Sequence, residues 1–234
     1  MMKTHLHSVF WTVLQLLIFV CFIHAAPAYA TGSAGKVVLI MGGAWAQPIG
    51  EAARRLEKGD LIYQSDVIRT EKDSAIQVLF NDQTKFYLGA DTEMSIDKFD
   101  EQSSADGKGF STHILKGTFR FVSGLIAKKK PSAMEVHTSV GTIGVRGTNV
   151  VGDASTTSAT IILVEPEDTA RKTSIEVTNK YGSVLIDEPG YGTEIPDEFS
   201  PPSPPKRMRL ETINNIMRSM QSIQRINIPR PRMP

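Results

Sequence analysis

The chain has 234 residues, with 26 Lys and Arg against 25 Asp and Glu, and a single cysteine. That balance excludes a chain drawn by net charge alone onto nucleic acid or a membrane surface. One cysteine excludes an internal disulfide scaffold. The first thirty residues read as an export signal. Lys3 gives a weakly basic start, and Val9 to Ile23 is apolar apart from Thr12 and Gln15. This run is shorter than the roughly 20 residues a spanning helix needs. Ala28-Tyr29-Ala30 has the small-x-small form of a cleavage site, so cleavage after Ala30 is expected. Cys21 would leave with the signal, and Val20 before it is unlike a lipoprotein site. The mature chain must then be held by a core alone, and it is long enough: at about 150 residues a domain buries close to 70% of its chain's surface.

From Lys36 to about Glu194 the pattern is β. "IQVLF" sets Ile76, Val78 and Phe80 on one face at period two, and "TKFYL" does the same with Phe86 and Leu88. "EMSI", "THILKG", "TFRFVSG", "MEVHTS", "ATIILV", "TSIEVT" and "GSVLID" continue the series. Turn formers separate them, as in "NDQ" at 81–83 and "NKYG" at 179–182. Strands at this spacing predict an all-β sandwich or wound sheet over residues 36–195. One or two helical turns are expected in "IGEAARRLEKG", 49–59.

"SPPSPPK" lies within a proline-rich linker, 196–206, expected to be stiff and extended. Beyond it, residues 207–234 form a basic tail. Leu210, Ile213, Met217 and Met220 fall at helical spacing and predict an amphipathic helix. Lys206, Arg207, Arg209, Arg218, Arg225, Arg230 and Arg232 face only Glu211 from 206 onward. Residues 31–195 carry the opposite excess. The expected docking element is therefore this helix, through Leu210, Ile213, Met217 and Met220 with Arg218 and Arg225. A protein partner is preferred to lipid, because the stripe is broken by Asn214 and Asn215 and has no Trp or Phe. The domain's own acidic face is the alternative cover.

"TSVGTIGVRGTNVV", 138–151, spaces Gly141, Gly144 and Gly147 by three. A dinucleotide fingerprint would be G-x-G-x-x-G opening a helix, and "TNVVG" is strand-like instead. The glycines suit close backbone approach in a β fold. Arg146, between Val145 and Gly147, is expected in or near the core with internal partners. Lys128 to Lys130 are expected in a solvated loop. Enzyme signatures are absent: there is no G-x-S-x-G, H-E-x-x-H or S-x-x-K. After Ala30 the only histidines are His113 and His137, and no ligand spacing supports a metal. Asp60 and Asp66 read as turn and strand-end carboxylates rather than an acid–base pair.

Three stretches taken together resemble the FecR-domain family. They are "GDLIYQSDVIRTEKDSAIQVLFNDQTKFYLGADTEMSI" (59–96), "LKGTFRFVSG" (115–124) and "VHTSVGTIGVRGTNVV" (136–151). Residues 174–195 are similar to the family's closing hairpin. The residues matching its pattern are Gly59, Asp60, Thr70, Gly117, Gly144, Arg146, Gly147 and Thr148, and their expected role is structural. Gln83 departs from the pattern, standing after Asp82 where a turn glycine is usual; Val140 stands where a smaller residue is common. The resemblance implies an extracytoplasmic β domain without catalysis. Best-known members relay a transporter's state through a membrane helix to a cytoplasmic anti-sigma segment. Only eight residues precede the apolar run here, so the chain is similar to the free-standing exported members.

The expected function is a non-enzymatic sensory or scaffolding module, periplasmic or secreted, that binds an envelope protein. No cofactor, metal, nucleic acid or small-molecule substrate is expected. The alternative is a cell-wall polysaccharide-binding module or an envelope enzyme. The mature chain has few aromatic platforms for sugars, with Trp45 its only tryptophan.

Overall fold

The computed structural model describes residues 32–101, 109–130, 133–166 and 173–224. The expected cleavage site, Cys21 and Arg225 lie outside these residues. The strands build two layers. The first runs, in pairing order, β4 (Leu61–Ile62), β1 (Gly35–Met41), β6 (Ala75–Phe80), β7 (Lys85–Leu88), β9 (Phe110–Val122), β12 (Asn149–Ala154), β13 (Ala159–Val164), β16 (Tyr191–Ile195) and β17 (Lys206–Arg207). The second runs β3 (Arg54–Arg55), β2 (Ala44–Pro48), β5 (Asp66–Thr70), β8 (Glu93–Phe99), β9 again, β10 (Met134–Thr138), β11 (Thr142–Arg146), β14 (Ser174–Asn179) and β15 (Gly182–Ile186). All pairs are antiparallel except β9–β10. The fold is all-β, as the alternation predicts.

Period-two apolar residues from both layers meet between them. Ile76, Val78, Phe80, Phe86 and Leu88 of the first layer and Ile68, Met94, Ile96, Val136, Ile143 and Val145 of the second are fully buried. Aromatic rings knit the middle: Phe80 lies 4.6 Å from Phe110 and 5.5 Å from Phe99, centroid to centroid, and Phe86 lies 5.2 Å from Phe121. Such pairs contribute about 0.5–1.5 kcal/mol each beyond the area they bury.

"THILKG" and "TFRFVSG" were expected as separate strands, but they are one strand, β9, that serves both layers. Its first half pairs with β8 and β10, its second with β7 and β12. The switch falls at Lys116–Gly117, beside a bulge opposite Glu93 and Met94. Gly117 has φ +105°, and a Cβ there would stand 2.5 Å from Thr92 Cα. Strands commonly pass between sheets at such bulged bends.

The β6–β7 hairpin turns on three residues, 81–83. Gln83 N donates to Phe80 O (3.0 Å) and Phe80 N to Thr84 O (2.9 Å). Gln83 has φ +70°. The left-handed position of a three-residue hairpin is thus kept without its usual glycine. Left-handed backbone costs a side-chain-bearing residue about 1–2 kcal/mol, and a glycine's extra unfolded-state freedom cancels part of the relief. Gln83→Gly should therefore stabilise by about 0.5–1 kcal/mol, raising the melting temperature by about 1–4 °C. A lower melting temperature would mean the Gln83 side-chain bond to Asn81 O outweighs the strain.

Segment 49–59 holds no helix. It makes turns and strand β3, with Arg54 drawn into an ion pair with Asp66. Lys128 and Lys129 sit on a short helix, α1 (Leu125–Lys129), rather than a loop, and their side chains are exposed as expected. The proline-rich segment is not a free spacer. Ser203 N donates to Glu194 O, and Glu194 N donates to Ser203 Oγ, both at 3.0 Å. Thr193 Oγ1 donates to Ser203 O at 2.7 Å.

The tail helix forms as α2 (Leu210–Gln224) and lies on the outer face of the first layer. Ile216 and Met220 are buried there with Met208, against Tyr87, Val151 and Ile162; Ile213 and Met217 are half-buried in the same cluster. Leu210 is 71% exposed and Arg218 is exposed. The apolar stripe expected to dock a partner is therefore occupied by its own domain. Its cover is apolar, not the acidic face that charge alone would select.

Candidate functional site

The eight family-pattern residues do not converge on one place. Gly59 and Asp60 sit in the turn before β4, where Asp60 Oδ2 accepts from Glu57 N at 2.8 Å. Thr70 and Gly117 meet through Thr92. Thr70 Oγ1 donates to Gly89 O (2.6 Å) and accepts from Thr92 N (2.9 Å), while Thr92 Oγ1 donates to Thr118 O (3.2 Å). These residues fasten the strand corner, with Thr70 and Thr92 buried.

Gly144, Arg146, Gly147 and Thr148 lie along β11 and the bend into β12. Gly147 has φ +61°, and Thr148 N donates to Ser123 Oγ at 2.7 Å. A strand follows, so no helix N-terminus is available for a phosphate. Arg146 is exposed, contrary to the expectation of a core guanidinium. Ile143 and Val145 take the inward positions of β11, so Thr142, Gly144 and Arg146 point out. No described residue pairs with the Arg146 guanidinium. Helix α1 lies against β11, with Lys128, Lys129 and Lys130 exposed, so this end of the strand is a basic corner.

At the other end of β11 the turn from β10 opens on a cavity of about 380 Å³. It is lined by Thr138–Thr142, Thr178–Lys180 and Glu198. Thr138 Oγ1 donates to Gly141 O (3.1 Å) and accepts from Gly141 N (3.1 Å), closing the turn. Asn179 ties three segments together: its Nδ2 donates to Val140 O (3.2 Å) and Ser200 O (2.9 Å), and its Oδ1 accepts from Tyr181 N (2.9 Å). Asp197 fixes the approach of Glu198 and Phe199. The Ser200 hydroxyl and the Phe199 N–H, each 2.8 Å from its oxygens, hold its carboxyl below the usual carboxylate range. Phe199 is 72% exposed and Tyr181 is 42% exposed, and the Lys180 ammonium sits 4.9 Å from the Tyr181 ring centre and 6.0 Å from that of Phe199. This exposed aromatic pair was not foreseen from the sequence.

His113 and His137 are register partners on β9 and β10, with ring centroids 6.5 Å apart. His137 Nδ1 is 3.0 Å from Thr142 Oγ1, and Glu135 lies 3.6 Å from its Nε2. Among the described residues no group of three or more His, Cys, Asp or Glu is placed to hold a metal. Asp60 and Asp66 have separate partners: Asp66 is buried and paired with Arg54.

Residues 66–183 match the model of the FecR protein family, half of the chain. The chain belongs to the FecR family. Two crystal structures of a provisionally assigned anti-sigma factor from Parabacteroides distasonis ATCC 8503, at 1.65 and 2.50 Å, are similar to it at 14% and 15% identity. Their TM-scores are 0.47 and 0.48, and each match covers 63% of this chain and 62% of the other. No curated protein matches. FecR membership supports a sensory or regulatory module. No helix among the described residues is long and apolar enough to cross a membrane.

Proposed function

We propose that this FecR-family chain is an exported, non-enzymatic sensory or scaffolding module that binds another protein of the cell envelope. The observation that carries it is Arg146, the arginine of the family signature. It stands on the outer face of the second layer with no described internal partner, beside the α1 lysines. A guanidinium without a structural task is free for a partner's carboxylates, and arginine is enriched at protein interfaces.

Arg146→Glu tests this. The melting temperature should hold within about 0.5 kcal/mol of equivalent stability, as for an exposed surface change. A discrete protein captured from envelope extract by the wild-type chain should no longer be captured by the variant. Equal capture by both, or a marked fall in melting temperature, would refute the role given to Arg146. Export follows from the N-terminal signal. Sequencing of the exported protein should begin at Thr31, and a start at Met1 would make the apolar segment an anchor.

A further inference from the structure

We propose that the cavity at the β10–β11 turn is a binding site for one or two neutral sugar units. It stands apart from the protein-binding surface. Arg146 marks the far end of β11, about 13 Å away at strand rise.

The chemistry of the lining selects the ligand. Two of its hydroxyls already spend their protons on backbone carbonyls. Thr138 Oγ1 donates to Gly141 O, Ser139 Oγ donates to Leu115 O (3.3 Å), and Thr178 Oγ1 is 3.0 Å from Ser183 Oγ. What Thr138 and Ser139 keep is lone pairs, one on Thr138 Oγ1, which also accepts from Gly141 N, and two on Ser139 Oγ. The Glu198 carboxylate adds further acceptors, and Lys180 is the donor among the charged groups. A ligand that fits must bring many donors of its own and accept one or two bonds. Polyhydroxylated molecules do this.

Charge narrows the choice. The Lys180 ammonium occupies the neighbourhood of the Tyr181 and Phe199 rings and opposes a second cation there. Glu198, with Asp197 two residues from Phe199, opposes an anion. A neutral ligand with an apolar face and a hydroxylated edge satisfies both. The sugar ring has that form: its hydroxyls suit Glu198 and the threonines of the lining, and Tyr181 and Phe199, the chain neighbours of Lys180 and Glu198, are exposed to take its C–H face. About 380 Å³ lies at the small end of the range for ligand pockets, suited to one or two rings. The site is preorganised, since Asn179 and Asp197 bind the backbone on both sides.

The test uses the chain from Gly32 onward, which forms one compact unit. Oligomers of β-1,4-linked glucose and of β-1,4-linked N-acetylglucosamine, two to six units long, are titrated into the isotope-labelled protein. Saturable shifts are expected at residues 138–142, 178–181 and 197–200. Phe199→Ala and Glu198→Gln should each weaken binding about tenfold or more while the melting temperature holds, as for truncation of a contact residue at an exposed site. Arg146→Glu should leave sugar binding unchanged, so this site and the protein-docking surface fail independently. No saturable binding by any oligomer would overturn the proposal. So would binding that survives both variants, or loss of the captured envelope protein on Phe199→Ala.

Discussion

Asp66→Ala should lower the unfolding free energy by about 3 kcal/mol, at the lower end of the cost of breaking a buried ion pair. Asp66 is fully buried at the start of β5. Its Oδ2 accepts from Arg54 Nη2 at 2.5 Å and from Tyr63 N at 2.9 Å. Arg54 also donates to Leu61 O at 3.1 Å, and its guanidinium lies 5.8 Å from the Tyr63 ring centre. The ion pair thus holds strand β3, the turn before β5 and the start of β4 in place. Removing the carboxylate leaves the Tyr63 N–H without its acceptor and the guanidinium without its counter-charge, holding only Leu61 O. Arg54 is about a third exposed and recovers some solvation, which keeps the cost near the lower bound. Asp66→Asn retains an acceptor for Tyr63 N and should cost less than Asp66→Ala. The double variant Arg54→Met, Asp66→Leu should recover much of the loss, because a packed apolar pair carries no desolvation penalty. Urea unfolding of the three variants decides it: a loss under about 1 kcal/mol for Asp66→Ala would show that the pair is not a pin.

The strands were legible because burial on one face imposes period two, and Ile76, Val78 and Phe80 display it without interruption. The same rule held the correct answer for Arg146. With Ile143 and Val145 inward, alternation puts Arg146 outward, but its β-branched neighbourhood suggested burial on both sides. In the sequence alone β9 divides in two, because Lys116 and Gly117 look like punctuation. A glycine at positive φ bends a strand between layers as readily as it ends one. Segment 49–59 is rich in helix formers, yet the Arg54–Asp66 pair and pairing with β2 overrode local propensity. The cavity joins residues 138–142, 178–180 and 198, and no local period connects them. The cover for the tail helix had left a trace. "TKFYL" places Tyr87 between Phe86 and Leu88, and "TIILV" runs Ile161, Ile162 and Leu163 together. Apolar residues on both faces of a strand mean that both faces are covered.

That outer cluster sets the second large effect. Truncation after Arg209, which removes α2 but keeps Met208 and β17, should destabilise the β domain by about 2–4 kcal/mol, lowering the melting temperature by about 5–12 °C. Ile216 and Met220 are nearly fully buried in the cluster and Ile213 and Met217 are half-buried, which amounts to about three buried side chains. At about 1.5–3 kcal/mol each, their transfer from water contributes about 4–9 kcal/mol. Immobilising four flexible side chains opposes this by about 2–5 kcal/mol. An isolated helix of this length is marginal in water, so the backbone neither adds nor removes much beyond that. The remainder is a helix held firmly but not permanently. It also bounds every single change in the stripe: no substitution in α2 can cost more than the docking it contributes to. Met220→Ala should approach that bound at about 2 kcal/mol. Leu210→Ala should change stability by less than about 0.5 kcal/mol, because that side chain is 71% exposed. The truncated protein should also bind a hydrophobic dye at the uncovered Tyr87, Val151 and Ile162. If instead truncation leaves the melting temperature unchanged, or Leu210→Ala matches Met220→Ala, the stripe is not packed on its own sheet and the helix returns to the role of a free docking element.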